Sequence, residues 1–180
     1  MKILVLGIGN VMFSDEGIGV HLCKLLEKNY TFRSDTHTIT FIDGGTLAMQ
    51  LIPIIVKYDY AIIIDCIDAK DGNIGDVYFF DYNDMPKKIN WSGSAHEVEM
   101  LQTLQYMELM GDIPKTKIVG IIPKRIVPLS FEISSEIKDG VNLVQKTILK
   151  HLKDEFKFDI IKKDDKDIQD IANLFSKGEL

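Results

Sequence analysis

The chain of 180 residues has only two cysteines, Cys23 and Cys66, too few for a disulfide framework or a four-thiolate metal site. Such sparing use points to a reducing compartment. Basic excess is also missing. Twenty-one Lys and Arg against 27 Asp and Glu leave a net charge of −6, which argues against a sequence-independent nucleic-acid binder and against attraction to an anionic membrane surface. No apolar run approaches the length of a membrane span. The opening Met1-Lys2 is followed by only Ile3-Leu4-Val5-Leu6 before Gly7, too short for the apolar region of a signal peptide. The chain therefore reads as cytoplasmic, without membrane insertion. There is no internal repeat and no Gly-x-Ser-x-Gly elbow, so a serine hydrolase lacks its usual signature.

What is present is an ordinary globular balance, 46% hydrophobic and 27% charged residues. A chain of this length makes one domain able to bury roughly 70% of its unfolded surface, without help from disulfides or a structural metal. The apolar run 2–6 ends in Gly7-Ile8-Gly9-Asn10, the pattern of a buried parallel strand entering a tight turn. Asp15 then reads as the N-cap of a helix with Glu16 in its first turn and Ile18, Leu22, Leu25 and Leu26 on its apolar face. Residues 37–42 make a second strand, broken by Asp43-Gly44-Gly45-Thr46, and residues 47–56 return to helix. The run 60–64 is the most hydrophobic in the chain; it predicts a central strand ending at Asp65.

Residues 75–80 follow too closely for a helical crossover, so an antiparallel strand is expected there. Residues 83–93 read as a loop. Ser94-Ala95-His96-Glu97 has the capping-box arrangement and places His96 in the first turn of a helix carrying Met100, Leu101, Leu104 and Met107. Residues 117–122 predict a strand, 123–131 a loop, and 134–152 an amphipathic helix. The alternation specifies an α/β fold with three αβα layers and a mostly parallel twisted sheet of about five strands, one of them antiparallel. The domain is expected to span residues 1–152. In residues 153–180 charges of both signs interleave with apolar residues, a pattern that fits a docked or mobile helix and reads best as a solvated appendage.

Open α/β sheets bind ligands beyond the carboxyl ends of their strands, where strand order reverses. Glu16, Asp65 and His96 all fall at such ends. Two carboxylates held together repel unless a cation lies between them, and two oxygens with one imidazole suit Zn²⁺, Ni²⁺ or Fe²⁺. Each also has a plain structural use: Glu16 complements a helix dipole, Asp65 caps a turn, and a lone histidine sits in a core. Asp43-Gly44-Gly45 emerges toward the same edge, its glycines admitting a close backbone or serving only a turn. Cys66, one residue beyond Asp65, points to the opposite face, which disfavours a Cys–His nucleophilic pair. A dinucleotide fingerprint would need glycine where the chain has Met12, and Asp15-Glu16 would repel a pyrophosphate.

Together, Gly7-Ile8-Gly9-Asn10, Asp15-Glu16-Gly17-Ile18-Gly19, Asp43-Gly44-Gly45-Thr46, Asp65 after an apolar strand, and His96 resemble the hydrogenase maturation endopeptidases, which process the large subunit of nickel-iron hydrogenases. The likeness continues through Gly120-Ile121-Ile122-Pro123 and Ile133-Ser134-Ser135-Glu136-Ile137, over roughly the first 150 residues. Family members usually carry Gln or Glu where this chain has Ile122.

The resemblance implies removal of a C-terminal extension from the large-subunit precursor once nickel has been inserted. On it, Glu16, Asp65 and His96 are the catalytic and metal-binding residues, and Asp43, Gly44 and Gly45 recognise substrate. The cofactor is nickel supplied by the precursor, with no organic cofactor, and the enzyme is expected to be a monomer. Two rivals stand beside it: a non-catalytic nickel-binding or metal-delivery protein using the same three residues, and a nucleotide-binding regulatory domain resting on Gly7-Ile8-Gly9 alone. The first lacks a His-rich or Cys-rich storage tract.

Overall fold

Six of the seven residues of β1, Lys2–Ile8, are buried, and so are all seven of β4, Tyr60–Cys66. Strands this apolar on both faces belong at the centre of a parallel sheet covered on either side. The structure is a computed structural model describing residues 1–84, 89–90 and 95–180, the side chains of 89–90 and 95–98 excepted. After β1 come α1 (Ile18–Asn29), β2 (Tyr30–Arg33), β3 (Thr38–Gly45), the short α2 (Ile52–Ile55) and β4. Then follow β5 (Asp68–Ala69), β6 (Val77–Asp81), β7 (Ile89–Asn90), α3 (Ala95–Met110) and β8 (Lys115–Ile121). The chain ends with α4 (Lys138–Phe156), β9 (Asp159–Lys162) and α5 (Ile168–Ser176). No helix among the described residues is long and apolar enough to cross a membrane.

The main sheet has five strands in the order β3-β1-β4-β8-β6, parallel except for the β6–β8 pair. One core on its first face joins α1 and α4 through Leu22, Leu26, Val144 and Ile148 to Ile62, Ile64 and Cys66. The other packs Met100, Leu104 and Met107 of α3, with Ile55 of α2, on Ala61, Ile63 and Ile118. The expected three-layer α/β architecture is therefore the one observed. From β1 the chain passes first to β3 on one side and later to β4 on the other, so strand order reverses at the carboxyl ends of β1 and β4.

Several local expectations need correction. The antiparallel strand pairs with β8, because β8 occupies the position beside β4. Residues 48–51 form a 3₁₀ turn before the single turn of α2, in place of one helix over 47–56. Within the expected loop 83–93, Ile89 and Asn90 pair with Ala69 and Asp68; residues 85–88 and 91–94, Ser94 of the capping box among them, lie outside the described residues. The helix expected over 134–152 begins with a 3₁₀ turn at Ser135–Ile137 and runs one turn further, to Phe156.

The largest correction concerns the segment after Leu152. It is docked, not solvated. Asp159–Lys162 pairs antiparallel with β2, a strand absent from the sequence reading, and α5 lays Ile168, Ile171 and Ala172 against α1 in the first core. Spacings of three and four residues put these on one face, and Asp170, the charged residue of α5, lies exposed on the other. Asp167 and Asp170 close a reciprocal capping box at the start of α5; each satisfies an amide the helix itself leaves unpaired.

Docking of α5 also seals His21 of α1. Its ring is fully buried, neither nitrogen has a hydrogen-bond partner among the described residues, and it meets Phe175 edge-on with centroids 5.1 Å apart. Burial disfavours the imidazolium and brings the pKa down to about 4. The unfolded chain therefore takes up a proton at this residue as pH falls through 6.5, while the folded chain resists until about 4. Stability is complete above this window and falls across it, by ~3 kcal/mol from this group. His21→Leu should remove that part of the acid sensitivity. Urea titrations of both proteins at pH 7 and pH 4 measure it, and equal losses in the two would contradict the assignment.

Candidate functional site

The first strand delivers the chain to its carboxyl end through a turn that only a very small residue permits. Gly9 has φ +133°, and a Cβ there would lie 2.0 Å from the carbonyl oxygen of Glu16. Residues Ser14–Gly17 then form a buried 3₁₀ turn, and α1 starts immediately after it. At Gly19 the helix backbone lies directly on the strand ends: a Cβ would sit 2.2 Å from Ile64 O and 2.3 Å from Ile8 O. These approaches press the turn carrying Glu16 against β4, whose penultimate residue is Asp65. Glu16 is 6% and Asp65 2% exposed.

Asp65 stands opposite Gly120 of β8. Its neighbours in alternation, Ile63 and Ile67, belong to the core under α3, whereas Ile64 and Cys66 belong to the core under α1 and α4. Asp65 and Cys66 thus serve opposite faces, as their adjacency requires. Because β8 begins at the amino edge of the sheet, α3 runs toward that edge and its first turn lies at the carboxyl edge. His96 is in that first turn; its side chain is outside the described residues. The fold therefore brings Glu16 and Asp65 to one edge and starts the helix of His96 there. Among the described residues no group of three His, Cys, Asp or Glu side chains is placed to hold a metal ion.

Asp43 stands opposite Gly7 two residues before the end of β3, which runs on through Gly45 where a break at Asp43 was expected; it is exposed, its carboxylate accepting from Gly45 N at 2.9 Å. Gly45 O in turn accepts from Gly9 N at 2.9 Å, which joins the Asp43-Gly44-Gly45 end of β3 to the turn after β1. Neither cysteine adds a nucleophile to this edge. Cys66 lies on the far face, and burial pushes the Cys23 thiol up to about 12, with its Sγ donating to Val5 O and Ile42 O. Ile122 is buried in the α3-side core and carries no polar group to the site.

Asp15 departs from its expected part. Gly17 occupies the N-cap of α1 and Phe13 that of the preceding 3₁₀ turn, neither with a side-chain cap. The fully buried Asp15 carboxylate instead accepts from Lys124 N at 3.0 Å and Arg125 N at 3.1 Å through Oδ2, and from Ser134 N at 2.8 Å through Oδ1. Ser14, at φ +48°, adds further ties: its N donates to Ser130 O, its Oγ accepts from Val127 N, and Ser130 N donates to Met12 O. The segment after β8 has no regular structure to satisfy these amides, and the acidic turn supplies their acceptors.

Residues 20–151 match the model of the HycI family, described as hydrogenase maturation protease. Protein HydD of Wolinella succinogenes is 49% identical over 160 residues, 88% of this chain and 99% of the relative. The hydrogenase 2 maturation protease of Escherichia coli is 32% identical over 129 residues, 71% of this chain and 77% of its own length. Among solved structures, the hydrogenase maturating endopeptidase HybD from E. coli superposes with a TM-score of 0.78 at 28% identity, covering 91% of this chain and 98% of that one.

Proposed function

The chain belongs to the hydrogenase maturation protease family, and on that premise we propose that it removes the C-terminal extension of a nickel-iron hydrogenase large-subunit precursor after nickel insertion. The observation that carries this reading is the confinement of Glu16 and Asp65 at the carboxyl edge where strand order reverses, held there by a backbone approach that admits glycine alone.

In this reading nickel arrives as part of the substrate. Glu16, Asp65 and His96 offer it two oxygens and one nitrogen, an incomplete set that complements ligands already supplied by the precursor. Held by these residues, a nickel ion brought by the precursor would supply Lewis acidity toward the scissile carbonyl or an attacking water. In the alternative route one of the two carboxylates gives up the metal and acts as general base instead. Asp43, Gly44 and Gly45, tied to the same edge through Gly9, contact the precursor chain. The enzyme works in the cytoplasm as a monomer and needs no organic cofactor.

Incubating the purified chain with its nickel-loaded precursor tests the proposal. Intact-mass spectrometry should show a single truncation at the precursor's C-terminus. Tight stoichiometric nickel binding by the isolated chain in calorimetry, with the precursor left whole, would instead establish a metal carrier.

A further inference from the structure

Asp15 adjoins Glu16 in a four-residue turn, yet its carboxylate accepts three hydrogen bonds from a segment 109 to 119 residues away. Both oxygens are used, and among the described residues each accepts from backbone N–H groups only. A carboxylate fits that arrangement fully, whereas an amide would turn its own N–H₂ toward a donor. The cationic side chains of the same segment look elsewhere: Lys124 pairs with Glu136 and Arg125 with Glu132. Asp15 thus binds the backbone of residues 124–134, and that segment leaves the sheet from β8, whose Gly120 stands opposite Asp65.

The turn is consequently gripped from two sides. Gly9 presses on the carbonyl of Glu16 from the strand side, and Asp15 fastens the turn to the segment after β8 from the other. Residue 16 has little freedom while both grips hold.

We propose that Asp15 is a positioning residue for the peptidase reaction, fixing Glu16 relative to Asp65 by locking the 14–17 turn and the 124–134 segment into one rigid wall of the site. The inference rests on the endopeptidase reading for its effect on rate, but its structural content does not. Misplacing a reacting group by about 1 Å costs on the order of 100-fold in rate, so a residue that never touches substrate can control turnover.

The test compares wild type with Asp15→Asn, and with Leu152→Ala as a control that truncates the core between α4 and the sheet, away from this edge. Cleavage of nickel-loaded precursor is measured well below each protein's melting temperature. Asp15→Asn should lower kcat about 100-fold with KM unchanged, whereas Leu152→Ala should lose thermal stability and keep kcat. Amide exchange followed by NMR should quicken in both residues 14–17 and 124–134 of Asp15→Asn, with the rest of α1 still protected. If Asp15→Asn does not fold, Asp15→Glu, which keeps the charge and displaces it by one methylene, is expected to show the same pattern more weakly. Wild-type kcat in the folded variant, or unchanged exchange in residues 14–17, would overturn the proposal. Should wild type itself leave the precursor whole, the peptidase reading fails, and the exchange measurement alone decides whether Asp15 holds the turn of Glu16.

Discussion

Asp65→Asn is expected to lower precursor cleavage by about 10²- to 10³-fold, the scale on which loss of one charge-stabilising group acts in a water-poor site. Asparagine keeps the shape of the residue and its place opposite Gly120, while it removes the negative charge that would face the metal and turns one acceptor oxygen into an N–H₂ donor. The melting temperature should therefore stay close to that of wild type. His96→Ala, at the start of α3, should cause a comparable loss with the fold intact. Initial rates on nickel-loaded precursor, beside thermal melts of each variant, provide the measurement. Native turnover in either variant would remove that residue from the catalytic set.

Gly19→Ala should cost far more stability than a methyl added at this edge where the space around it is open. Its Cβ would enter a space bounded by Ile64 O at 2.2 Å and Ile8 O at 2.3 Å, and both are backbone atoms of central strands that cannot step aside. Relief requires lifting α1 from the sheet, which opens the core around Leu22 and Leu26 and moves the turn of Glu16 with it. A loss of about 4 kcal/mol or more follows, or a melting temperature lower by roughly 10 °C or more for a chain of this size. Gly45→Ala supplies the contrast. It has φ +56° but open space around its Cβ, so only the left-handed backbone is penalised, at about 1–2 kcal/mol. Calorimetric melts of the two variants separate close packing from backbone conformation, and equal losses would contradict the packing argument.

The parts of this fold legible in the sequence were those encoded over short distances. The apolar runs ending at Gly7 and Asp65 announce buried parallel strands, and the period of Ile18, Leu22 and Leu26 announces α1. Alternation alone places Asp65 and Cys66 on opposite faces. Long-range partnerships left no such trace. Asp15 before an apolar helix has the form of an N-cap, and nothing local shows that its acceptors serve amides more than 100 residues later. The four residues of β2 are a strand because β9 pairs with them from the far end of the chain. In the terminal segment the density of charges masks the spacing of Ile168, Ile171 and Ala172, which has a helical period beginning at Asp167. For the site, sequence order supplied Glu16, Asp65 and His96 as candidates, and the fold adds why the first two share one edge: α1 rests on the strand ends at Gly19.

Cleavage of two forms of one precursor, nickel-loaded and nickel-free, measures the central claim most directly. Mixed separately with the purified chain and followed by intact-mass spectrometry, the nickel-loaded form should lose its C-terminal extension while the nickel-free form stays whole. Equal truncation of both forms would contradict recognition of nickel by Glu16, Asp65 and His96.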